Sequence, residues 1–173
     1  MKELVHSVIW PAVAGNVLWA FLQVAFVPQP NQDARPQRLA SLLLVGLYFC
    51  IDWIESEKTK ESINPKYWMV DIPLAVFIAV FAIVTQSNIW WSWIALLLAY
   101  VIVVAGHYWG AWDDKSTTSS RSTRAILMVI NSLGIVVLLF GWYLGDTIAA
   151  WLTPVSIFLV VGLYLCLRNK LSR

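Results

Sequence analysis

Six apolar stretches take up most of the chain: residues 5–27, 39–54, 68–86, 89–110, 125–144 and 147–167. A helix crossing a bilayer needs about 17–25 such residues. Five stretches have that length, and the second is expected to lengthen through its flanking residues. In hydrocarbon every backbone N–H and C=O must find its partner inside the segment, which makes the helix the natural form for each. The connections are short. Ser87 with Asn88, and Gly145 with Asp146, read as tight hairpins, while PQPNQDARPQR (residues 28–38) is a proline-rich link that cannot continue a helix. The expected fold is all-α: a polytopic integral membrane protein, one transmembrane domain over residues 1–173, built as a six-helix bundle.

Charge agrees with this. Only 13% of the 173 residues are charged and 60% are hydrophobic, whereas a soluble domain carries about a quarter charged residues. The lipid bilayer is therefore the first partner, and nucleic acid is not one, since no basic stripe interleaved with aromatics is present. The positions of the cations orient the chain. With the N-terminus cytoplasmic, inner segments hold Lys2, Lys58, Lys60, Lys66, Lys115, Arg121, Arg124, Arg168, Lys170 and Arg173. Outer segments hold only Arg35 and Arg38. Both termini are thus expected on the cytoplasmic side of a plasma (inner) membrane, with cytoplasmic loops at 55–67 and 113–124.

The tryptophans sort in the same way. Trp53, Trp68, Trp109 and Trp112 fall at inner helix ends, and Trp90, Trp91, Trp93, Trp142 and Trp151 at outer ones, as an interfacial aromatic belt requires. Trp10 and Trp19 lie deeper and are candidates for the bundle interior. Ala12-x-Ala14 mimics a signal-peptidase site, but the apolar run continues well past it, so the segment reads as an uncleaved first helix. Cys50 and Cys166 sit toward the reducing face, which argues against a disulfide.

VGLYFCI (residues 45–51) and VGLYLCL (residues 161–167) agree at five of seven positions, and Asn16 and Asn131 lie in the preceding helices at nearly the same offset. A parallel repeat relating the hairpin of helices 1 and 2 to that of helices 5 and 6 is one reading; chance in a Leu/Val/Gly-rich alphabet is the other.

Polar residues inside apolar runs are the candidate functional groups, because they are costly in lipid unless they face protein or water. Asn16 and Gln23 share one face of helix 1. Asn131 and Ser132 lie in helix 5, and Thr153 and Ser156 flank Pro154 in helix 6. Hydrogen bonds between helices explain them most simply, and a polar lining for a pathway is the second reading. Pro11 and Pro154 each remove a helical hydrogen bond and are expected to kink their helices.

A second group gathers at the inner helix ends: Asp52 and Glu55, then Asp71, then GHYWGAWDD (residues 106–114) with His107. Asp71 stands between apolar residues just inside Trp68. A carboxylate there is poorly solvated unless paired, and Pro73 has no N–H to offer it, so a contact with His107 or Asn16 is expected. Ion or proton binding by Asp71 and Asp52 is one use of the group. Pairing with nearby lysines, helix capping and snorkelling to water form the structural alternative. A metal-dependent hydrolase would want more histidines than His6 and His107, and those two lie too near the interface for a bis-histidine haem. No metal, cofactor or catalytic residue is therefore expected.

Other classes fall away. No lysine lies within an apolar run to form a retinal Schiff base, no phosphate-cradling P-loop is present, and no Ser or Cys nucleophile has a supporting motif. The expected function is a small transporter, channel or channel-forming subunit, oligomeric, moving an ion or small solute. An interior this small favours a pathway between subunits or against a membrane or cytoplasmic partner. A membrane-embedded enzyme, or the anchor subunit of a larger complex, is the alternative.

Overall fold

The computed structural model describes residues 5–28, 34–58, 68–87, 89–111 and 118–171, with side chains described in 7–28, 34–51, 71–87, 91–109 and 124–167. Six α-helices occupy them: α1 Trp10–Phe26, α2 Arg35–Lys58, α3 Trp68–Ser87, α4 Ile89–Ala111, α5 Thr118–Leu144 and α6 Asp146–Leu171. Among the described residues there is no strand. Among the described residues, four segments are long and apolar enough to cross a membrane: Ser7–Phe26, Trp91–Trp109, Arg124–Leu144 and Asp146–Leu167. α3, Trp68–Ser87, carries the apolar stretch Asp71–Ser87.

The helices close into a ring in the order α1, α3, α4, α5, α6, α2 and back to α1, with α4 also touching α6 and α2 touching α3 across the middle. Sequence neighbours are therefore ring neighbours except around α2, which lies between α1 and α6. Alternate helices run in opposite directions along the chain. One end of the bundle accordingly gathers the starts of α2, α4 and α6, and is called the arginine end below. The other gathers Asp71 and His107 and is called the acid end.

Local chemistry sets the boundaries. Pro11 does not kink a helix interior as expected. A π-helical turn, Val5–Ile9, precedes α1, and Pro11 stands in the first turn of the α-helix. Its ring supplies no N–H to the preceding turn, and the wider register there accommodates the loss. Gly145 joins α5 to α6 with φ +97°, a conformation glycine adopts without the Cβ penalty. Its N–H donates to the Trp142 carbonyl at 3.4 Å, and its own carbonyl accepts from the Ala149 N–H at 2.9 Å. The second helix lengthens at both ends, as its flanks suggested. The expected loop 113–124 is shorter than the sequence implied, because α5 already begins at Thr118. Extending an established helix through Thr and Ser costs only a few tenths of a kcal/mol per residue, whereas starting one is expensive. The remainder of both loops, with Asp113 and Asp114, lies outside the described residues.

The core is a continuous apolar cluster that draws on every helix, with Trp10, Val24, Leu42, Phe49, Ile78, Phe81, Tyr100, Leu138 and Ile157 among its buried members. Trp10 is 1% exposed, and its ring centroid lies 4.6 Å from that of Phe49, pinning α1 to α2. Trp19 corrects the expectation made for it: it is 59% exposed. Trp93, expected in the belt, is buried instead. Its indole N–H donates to the Leu138 carbonyl at 2.9 Å, and its ring meets Trp142 edge-on at 5.3 Å. With its one polar atom satisfied by α5, nothing draws this indole toward water.

The two VGLY stretches lie on α2 and α6, which pack on each other. Val45 and Val161 are both buried, and Cys50 and Cys166 are both exposed free thiols. The environments part at Phe49, which is buried, and its counterpart Leu165, which is exposed.

Candidate functional site

The polar groups of the helices settle into three places. In the middle, short side chains mostly turn back on their own helix. Thr85 Oγ1 donates to the Phe81 carbonyl at 2.6 Å, Thr153 Oγ1 to Ala149 at 3.1 Å, Ser156 Oγ to Thr153 at 2.8 Å, and Asn131 Nδ2 to Leu127 at 2.8 Å. A hydroxyl or amide on a helix reaches the carbonyl three or four residues back without help from a neighbour. Asn131, Thr153 and Ser156 therefore do less bonding between helices than their sequence positions implied. Asn16 is different: its Nδ2 donates to the Ala79 carbonyl at 3.0 Å and ties α1 to α3. Gln23 is half-buried further along α1.

Tyr100, Gly134 and Ser156 form the junction of α4, α5 and α6. The buried Tyr100 hydroxyl lies against Ser156, and its ring lies directly on the Gly134 backbone. A Cβ at Gly134 would stand 2.8 Å from Tyr100 Cε2 and 2.9 Å from Val160 Cγ2. Nearby on α5, Asn131 Oδ1 is buried with no hydrogen-bond partner. A void of about 10 Å³, about the room for one water, lies at the bundle centre between Val45, Tyr48, Ile78, Leu96, Tyr100 and Ile157. Asn16, Gln23, Asp71, His107 and Asn131 do not line it.

At the acid end, Asp71 opens α3 and is half-buried. No hydrogen bond or ion pair joins it to another described residue, and Asn16 is committed to Ala79 instead. His107 on α4 lies close enough to Arg124 on α5 for their charges to interact. Asp52 and Glu55 fall in the last turns of α2, but their side chains, like that of His6, lie outside the described residues. Among the described residues no group of three or more His, Cys, Asp or Glu side chains is arranged to hold a metal ion.

The arginine end holds the arrangement that the sequence reading passed over. Arg35 Nε donates to the Val24 carbonyl at 3.0 Å, and its terminal nitrogen donates to Ala25, both at the end of α1. Arg38 donates to the Gln86 carbonyl at 3.2 Å, at the end of α3. With the Gln37 amide turned to suit its neighbours, its nitrogen donates to the Ala34 carbonyl at 3.2 Å and its oxygen accepts from Trp151 Nε1 of α6 at 3.0 Å. One helical turn thus clasps three helices. The last carbonyls of a helix have no partner of their own and carry its negative dipole end, so a neighbour's guanidinium suits them. The signal was present in RPQR: arginines in a helix's first turn oppose its own dipole, which suggests that they serve another group.

Compared with protein-family models, with curated proteins and with solved structures, the chain matches none of them.

Proposed function

We propose that the protein is a membrane-embedded subunit of an oligomer that moves an ion or small solute, with the pathway formed where subunits meet. The observation that carries this reading is the packed centre of the bundle, where a void of about 10 Å³ lies between apolar and aromatic side chains among the described residues. The outward face of α5 supports the oligomer. Val129, Leu133, Val136, Phe140 and Tyr143 are all exposed there, and their alternating spacing of four and three is that of a packed helix seam. Asn16, Gln23 and Asn131 are the polar candidates along the helices in this reading. Asp71, His107, Asp52 and Glu55 make up the charged mouth at the acid end.

The test is flux in liposomes, read with proton- and potassium-sensitive dyes, together with native mass spectrometry of the same preparation. Two or more copies with measurable flux are expected. Asp71→Asn, which keeps the side chain's shape and hydrogen bonding, is expected to leave assembly intact and remove the cation- or proton-dependent part of the flux. A conducting monomer overturns the pathway between subunits. An oligomer with no flux to either probe favours the anchor subunit, which the same packed centre also suits.

The ten-to-two bias in basic residues supports cytoplasmic termini in a plasma membrane. Reporter fusions at residue 173 and within 28–38 are expected to report opposite sides, the former cytoplasmic. Both reporting the same side would defeat the arrangement.

A further inference from the structure

We propose that the arginine end holds a phosphate-class anion, drawn to Arg35, Arg38 and Ser41 at the start of α2. Among the described residues no carboxylate pairs with either guanidinium. The ends of α1 and α3 that they cap supply about half a negative charge each, while the start of α2 adds about half a positive one. About one and a half positive charges are left uncompensated by these elements. Arg38 is nevertheless only 4% exposed, and a buried cation is costly unless it is paired.

The second observation is independent of that balance. Arg38 Nε is buried with no hydrogen-bond partner, and so is Ser41 Oγ, on a residue that is fully buried. They lie three residues apart, on one face of α2. A donor and a hydroxyl left unmatched on adjacent turns, beside a cation with no counter-ion among the described residues, match the needs of a phosphate oxygen. Guanidinium meets phosphate with two parallel N–H donors, and a serine hydroxyl adds a third. The side chains now cover Nε, so binding draws the Arg38 guanidinium outward toward the bundle end. Two sources present the same chemistry: the headgroup of a phospholipid and free phosphate.

The experiment uses the full chain, delipidated in detergent and then supplied with phosphatidylglycerol, phosphatidylcholine or inorganic phosphate. Thermal unfolding and native mass spectrometry are the readouts. Phosphatidylglycerol is expected to remain bound and to raise the unfolding midpoint above that in phosphatidylcholine; an equal rise with inorganic phosphate identifies a free anion as the occupant. Arg38→Gln is expected to weaken the effective probe about tenfold or more, and Ser41→Ala by a smaller factor. Because Arg38 also caps α3, its variant can fail to fold; Ser41→Ala then decides. No response to any anion overturns the proposal, as does a response unchanged in the variants. A loss of stability in Asp33→Asn matching that in Arg38→Gln, without any anion response, also overturns it by making the chain's own acid the counter-ion.

Discussion

Trp10→Ala is expected to destabilise the bundle by about 3–5 kcal/mol, the range for emptying a fully buried Trp or Phe site. The indole is buried on α1 and packs on Phe49 of α2 at 4.6 Å. In a membrane the loss is not one of water exclusion, since lipid is as apolar as the core. It lies in dispersion contacts that a close-packed neighbour supplies and a cavity does not. α1 and α2 are also the pair that the Arg35 clasp joins, so loosening their packing strains that contact too. Unfolding in mixed micelles of rising SDS fraction measures the cost, with Trp19→Ala as the comparison. Trp19 is largely exposed, and its loss is expected to fall within about 0.5 kcal/mol. Equal effects from the two substitutions would show that this face of α1 is not the packed one.

Gly134→Ala is expected to cost about 1–3 kcal/mol through overpacking. The added methyl is caught from two sides, 2.8 Å from the Tyr100 ring and 2.9 Å from Val160 Cγ2. Neither can step aside easily, because Tyr100 and Val160 are both buried. Removing one of them tests the cause. Val160→Ala opens one side of the site, so the double variant Gly134→Ala/Val160→Ala is expected to be less destabilised than the two single effects added together. Strict additivity in the same SDS titration would mean that the methyl finds room elsewhere.

Most of the helical layout was legible because it depends on quantities that a sequence displays directly. Run length and apolar content placed six helices, and the glycine and the proline-rich link marked where the chain turns. Individual side chains were less legible, and the pair Trp10 and Trp19 shows why. They are nine residues apart on one helix, half a turn by helical period and so on opposite faces, and only the packing partner decides which is covered. Trp93 departs from the belt for a related reason: its position near a helix end suggests the interface, while its N–H has a carbonyl of α5 within reach. At the candidate site, the identity of Asn16 showed that it needed a partner but not that the partner would be Ala79 on α3. Asn131 looked equivalent, yet it satisfies its amide nitrogen within its own helix. The arginine clasp was hidden because sorting cations by side of the membrane counts charges without asking what each guanidinium donates to.

The place of α2 in the ring bears on how the chain enters a membrane. It emerges second, but its neighbours are α1 and α6, the first and last helices to be made. During synthesis α2 therefore has one flank sealed by α1 and the other open until α6 arrives, when Trp151 reaches Gln37. A nascent chain cut short before α6 would leave that helix waiting with half its seat unfilled.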